Sequence, residues 1–414
     1  MFGVSAPSPG ADAGGLDLGD AEPNWAAFAV QQYLEALLAS PLVVVETLTD
    51  VQFQKRIDSP YERLWRPTTV QPTTSYSSYE SVPLSGSGRV VPMHLPRMHS
   101  DISGNLRTIT DSELEGLSGL LKGHLTDFCF RASFAVIQPG IEEFMNDMLD
   151  VFEDVNPTTN ILSHAITGAV LSPLELVRSR LIVQASSSSR RRYFGPIHAL
   201  YSIANEERPS PSSSAFSTLY TPRVLIPSIL VHSVGPFVRF FSARIIQDEL
   251  GLDAAFTPVL YRLATLGFLA IEAAIVTPIE MARKRLQVQR LDAFRQSPNH
   301  AASPHATRTQ AFDSVVETSA TPYTGMLNCI GCIVAEEGGR RPVKRRQHMG
   351  GNLSSAEWQD VYGGGGGEKP ATGVVESLGR LAKGISTLYR GFWARYAATV
   401  ILYASSEIAR EDGW

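Results

Sequence analysis

The chain has 414 residues, of which 43% are hydrophobic and 19% charged, and its formal net charge is -5. That charge gives no reason to expect a nucleic-acid partner, and the three cysteines, Cys129, Cys329 and Cys332, are too few and too unevenly placed for a disulfide framework or a four-ligand zinc site. The composition suits a soluble chain and equally suits membrane helices diluted by polar insertions.

Residues 1–22 carry Asp12, Asp17, Asp20 and Glu22 and no basic residue. A secretory signal needs a basic start and an apolar stretch, and a matrix presequence needs an Arg-rich amphipathic helix, so neither reading fits. Residues 1–24 read as a disordered tail. Six apolar segments follow, at 25–48, 117–149, 158–183, 219–246, 256–282 and 388–409. Each is about long enough to cross a bilayer as a helix, which takes about 20 residues. None is uninterrupted; residues 264–277 come closest and still contain Glu272. Such interruption fits helices with one face toward lipid and the other toward a polar bundle interior. Between them lie polar stretches: a Ser/Thr/Pro-rich insertion at 66–101, a Ser-Arg run ending at Arg190–Arg192, and insertions at 290–320 and 339–372. The last includes Lys344, Arg345 and Arg346. These read as flexible insertions. Their basic clusters suit anionic headgroups or plain solvated loops. Cys329-x-x-Cys332, with no second Cys or His pair, reads as two small residues on a helix.

The second half of the chain repeats itself. SPLELVRSRLIVQ at 172–184 is matched by TPIEMARKRLQVQ at 277–289. Proline, glutamate, two arginines and glutamine coincide. Tyr193 and Gly195 are then echoed by Tyr323 and Gly325, and Leu219-Tyr220 by Leu388-Tyr389. Blocks in the same order mark a long-range repeat. Each unit reads as a helix bent or ended at proline, a basic end, a polar loop with a short amphipathic helix, and a second helix.

This pattern resembles the mitochondrial carrier family, whose signature is Pro-x-[Asp/Glu]-x-x-[Lys/Arg]-x-[Lys/Arg] followed by an aromatic-x-Gly block. Pro173, Glu175, Arg178 and Arg180 match it, as do Pro278, Glu280, Arg283 and Arg285. The resemblance implies an all-α membrane protein with six transmembrane helices in three tandem helix-pair repeats. The expected divisions are a degenerate first repeat over 25–150, a second over 156–250 and a third over 254–410. In the first, Pro41 is present, but Val43 holds the acid's place and Glu46 the base's; Gly123 opens its second helix.

In the family the acid of one repeat pairs with the base of the next, closing a three-bridge ring. Here Glu175 and Arg283 can pair. Glu280 would face Glu46 as a like charge, and Arg178 would face Val43. The opposite gate, [Phe/Tyr]-[Asp/Glu]-x-x-[Lys/Arg], keeps its spacing only at Glu407 and Arg410, and Gln287 could brace the surviving bridge. Arg131, Arg239, Glu272 and Arg395 are candidate cavity-facing charges, although Arg239 and Glu272 can also simply neutralise each other.

The decayed gates and long insertions resemble the branch of modified carriers in the fungal mitochondrial outer membrane that act in fusion. That resemblance implies a multi-pass adaptor with lipid contacts, scaffolding the outer- and inner-membrane fusion GTPases and assisting lipid mixing, and it leaves room for a homodimer. The alternative is an inner-membrane solute carrier. No phosphate-binding loop, Ser-His-Asp set or zinc-protease motif is present, so no enzyme activity, cofactor or metal is expected.

Overall fold

A computed structural model describes residues 25–54, 94–113, 115–150, 156–187, 190–208, 214–290, 314–319, 322–337 and 374–411, with backbone alone at 374–380 and 409–411. The expected tail at 1–24, most of the insertion at 66–101, the cluster Lys344–Arg346 and the rest of 339–372 lie outside the described residues. So does the side chain of Arg410.

The described residues are helical, with one isolated antiparallel bridge between Gln184 and Ser314 and no strand. The long helices are α1 (Trp25–Val51), α3 (His124–Met148), α4 (Pro157–Val183), α7 (Pro222–Arg244), α8 (Pro258–Val288) and α11 (Phe392–Glu411). Short helices are α2 (Ile102–Thr110), α5 (Pro196–Glu206), α6 (Ala215–Leu219), α9 (Met326–Glu336) and α10 (Val374–Thr387). Starts follow capping chemistry. Proline takes the first position of α4, α7 and α8, where its missing N–H costs nothing, and Asn156 caps α4 by accepting from the Thr158 amide at 2.9 Å. Segment 117–149 is not one helix. A 3-10 turn at Leu117–Leu121 ends before Gly123, whose φ of 75° is left-handed, and α3 begins after it. A π-turn at Ile245–Glu249 closes α7.

The described residues fall into two compact units, one made of those between 25 and 53, between 94 and 330 and from 388 on, the other of residues 54, 331–337 and 374–387. In the first unit the six long helices touch in a closed cycle, α1 to α3, α3 to α4, α4 to α7, α7 to α8, α8 to α11 and α11 to α1. Helices α1, α4 and α8 also touch one another. In the second unit α10 crosses α9 closely, since a Cβ on Gly384 would lie 2.5 Å from the Val334 carbonyl oxygen.

Helices α1, α8, and α7 with its π-turn are long and apolar enough to cross a membrane. The other long helices are more polar, and α4 shows where that polarity points. Leu162, Ile166 and Val170, four residues apart, face outward, while Ser163, Thr167, Ser172, Glu175 and Ser179 are buried. Polar inside and apolar outside is the arrangement lipid demands, the reverse of a water-soluble helix.

One part of the insertion at 290–320 is core. Val315 and Val316 are completely buried with Val51, Leu95, Met98, Val183 and Val288. Two adjacent valines in an otherwise polar stretch supply apolar surface that the stretch as a whole lacks.

Candidate functional site

The C-terminal ends of α1, α4 and α8 carry a recurring clamp. After α4, the Gln184 side chain donates to the Tyr193 carbonyl at 2.9 Å and accepts from the Tyr193 amide at 3.0 Å. After α8, Gln289 makes the same pair with Tyr323, both at 2.9 Å. After α1, Gln52 donates to the Pro96 carbonyl at 3.0 Å and accepts from the Met98 amide at 2.8 Å. A primary amide holds a segment this way because it presents a donor and an acceptor side by side.

A second recurrence involves buried cations and orphan carbonyls of neighbouring helices. Arg180 donates from Nε to the Gln287 carbonyl at 2.9 Å and from Nη2 to that of Gln289 at 3.0 Å, at the end of α8. It also pairs with Glu207. Arg285 donates from Nε to the Asp50 carbonyl at 2.8 Å and from Nη2 to that of Gln52 at 3.1 Å, at the end of α1. At the end of α4, Lys122 donates to the Gln184 carbonyl at 2.5 Å and pairs with Glu115. Helix C-termini leave unpaired carbonyls of partial negative charge, which a cation satisfies well. Leu48 stands seven residues after Pro41, where Arg180 and Arg285 stand after Pro173 and Pro278, and Lys122, supplied from before α3, makes the third contact. Burial pushes the Lys122 ammonium below its ordinary value, against the opposing pull of Glu115. Burial raises the Tyr323 phenol, which accepts from Arg285 Nη1 at 3.2 Å.

Above these contacts an ionic cluster joins all six long helices. Glu175 on α4 pairs with Arg283 on α8, with His232 Nε2 of α7 at 3.0 Å, and accepts from the Ser228 hydroxyl at 2.9 Å. Arg283 pairs with Glu280 at 2.5 Å. Arg395, from α11, lies 3.0 Å from Glu280 and 2.5 Å from Glu46, so the two like charges are bridged. Lys284 adds contacts of 2.7 Å to Glu46 and 2.9 Å to Asp50. Arg178 pairs with Asp127 of α3, which also binds Arg131 at 2.7 Å. Val43 therefore leaves no unpaired base. The five carboxylates Glu46, Asp50, Asp127, Glu175 and Glu280 face the five bases Arg131, Arg178, Arg283, Lys284 and Arg395. Gln287 does not bond the Glu175–Arg283 pair; it accepts from the Ser179 hydroxyl at 2.7 Å.

The cluster floors a cavity of about 140 Å³, into which its own Arg131 and Arg395 project together with Arg239, Glu272, His164 and His232. Arg239 and Glu272 pair at 3.2 Å. Gly168 gives His232 room, since a Cβ there would meet the ring at 2.3 Å.

The sequence singled out Arg131 and Arg395 as charges without assigning partners. It missed Asp127, Lys284, Asp50 and His232. Asp127 and Arg395 had a usable signal, because each lies four residues after the glycine that opens its helix, Gly123 and Gly391. Elsewhere, Cys332 is a free thiol. Burial, with help from Glu336, raises Cys332, the opposite of what an activated thiolate needs. No group of three or more metal-ligating side chains converges among the described residues.

No family model matches the chain, and no curated protein sequence is significantly similar to it.

Proposed function

We propose that the chain is a six-span, carrier-like membrane protein of the mitochondrial outer membrane that acts as an adaptor in mitochondrial fusion rather than as a transporter. The closed cycle of six long helices, their outward apolar faces and the threefold recurrence of the glutamine clamp support the carrier-like architecture. One observation carries the step away from transport. The ionic cluster ties the first turns of α3 and α11, through Asp127 and Arg395, to the ends of α4, α1 and α8. A seal made only between α1, α4 and α8 opens when those three swing apart. Here the same movement must also break pairs with the helices alongside, in a buried site where an unpaired charge is costly. The cluster's charges balance internally, so little field is left to draw a charged solute into the cavity. A rigid bundle with long insertions is suited to holding partners, and the partners proposed are the fusion GTPases of the two mitochondrial membranes, with lipid around the helices.

Removing the gene and imaging the mitochondria tests this reading. A fragmented network restored by the intact gene is the expected result; an unchanged network overturns it. The second reading, an inner-membrane solute carrier, is favoured by the charged cavity lined by Arg131, Arg239 and Glu272. Substrate-dependent uptake by the purified protein in liposomes would establish it and displace the adaptor.

A further inference from the structure

We infer that residues 314–319 form a strap that holds the proline-bearing helices closed at one end, a locking device contributed by this chain's own insertion. The strap is attached on two sides. The Val315 amide donates to the Val183 carbonyl, the last residue of α4, at 2.9 Å. On the other side the Leu95 amide donates to the Val315 carbonyl at 2.8 Å and the Phe53 amide, just past α1, donates to the Glu317 carbonyl at 2.7 Å. His94 Nδ1 lies 3.1 Å from the Ser314 carbonyl oxygen. Val315 and Val316, both 0% exposed, then pack with Val51, Val183 and Val288, the final residues of α1, α4 and α8.

The consequence is mechanical. The ends of α1, α4 and α8 can separate only if the strap gives up backbone bonds to two of them and two valines enter water. The strap thus adds a covalently supplied apolar bolt beneath the ionic cluster. Its hold is strong because the segment belongs to the same chain and need not be recruited from solution. The inference stands apart from the fusion reading: a chain that fails the imaging test can still carry the strap, and the reverse holds too.

The test uses the full chain in lipid nanodiscs with spin labels at Arg191 and Thr324, two exposed positions that follow α4 and α8. Distances between them are read by pulsed electron resonance. The intact chain is expected to give a single narrow distance. The pair of substitutions Val315→Asp and Val316→Asp is expected to raise a longer-distance population at least tenfold. The milder pair Val315→Thr and Val316→Thr, which keeps side-chain shape, is expected to raise it less, with helicity by circular dichroism unchanged. If the aspartate variant loses helicity, the threonine variant decides. A threonine variant of native helicity that keeps the single narrow distance overturns the strap.

Discussion

Lys284 is 2% exposed, and its ammonium lies 2.7 Å from Glu46 and 2.9 Å from Asp50. Methionine in its place would keep the stem's volume, take away the ammonium that Asp50 binds, and leave Glu46 to share Arg395 with Glu280. Removing one partner of a buried pair costs about 3–5 kcal/mol, so Lys284→Met is expected to lower the unfolding free energy in detergent by about that much. Adding Glu46→Gln should recover part of the loss, because the two residues are coupled; strictly additive effects would contradict the contact. Lys122 makes a pH-dependent contribution instead. Burial sets its folded pKa below 10.5, so in the interval between the two values the unfolded chain holds more protons and stability rises with pH. Tyr220 and Tyr323, raised by burial, work in the opposite sense only above about pH 10, their ordinary value. Lys122→Met should therefore flatten the stability profile between the lowered lysine value and pH 10. A titration with the rise intact would assign it to another group.

At the scale of elements, the clamps after α1, α4 and α8 should respond alike. Each glutamine makes two backbone hydrogen bonds, Gln52 and Gln184 at buried positions and Gln289 at a half-buried one, and losing them leaves donors and acceptors unpaired at about 1–3 kcal/mol. Gln52→Ala, Gln184→Ala and Gln289→Ala are each expected to destabilise within that range, measured by unfolding in detergent. A negligible effect at Gln52 alone would mean that the first clamp resembles the others in geometry only. The three clamps also show how far the sequence could be read. Pro173 and Pro278, with the arginines and glutamine that follow, stand at identical spacings, so the equivalence of α4 and α8 is visible in the residues. Pro41 and Gln52 keep the same separation as their counterparts, which places α1 as well. The replacements for the lost charges are invisible to the same comparison. Asp127, Arg395 and Lys122 sit on or before α3 and α11, far along the chain from the positions they serve, and only folding brings them there. Val315 and Val316 escaped for a related reason: two valines make no periodic pattern, and their burial depends on a groove formed by three separated helix ends.

For the whole molecule, the number of long helices that cross the bilayer fixes the sidedness of every loop. By length and apolarity alone three do: α1, α7 with its π-turn, and α8. Helices α3, α4 and α11 are more polar, yet in the cycle of contacts each lies between two others and turns large apolar side chains outward, such as Val136, Ile166 and Trp393. On the proposed six-span reading these three helices cross with their neighbours, their outer faces suited to lipid and their backbone groups satisfied within the helix. The two counts predict different sidedness. With six crossings, the exposed residues Asp150 and Asp253 lie on one face of the membrane and Ser103 and Arg191 on the other. With three, Ser103, Asp150 and Arg191 share a face, because α3 and α4 no longer separate them. Single cysteines at these positions, in a chain whose three native cysteines are replaced, can be labelled with an impermeant thiol reagent in sealed vesicles of known orientation. We expect Asp150→Cys to react from the face opposite to Ser103→Cys and Arg191→Cys; reaction of all three from the same face would reduce the membrane domain to three crossings and remove the carrier-like architecture with it.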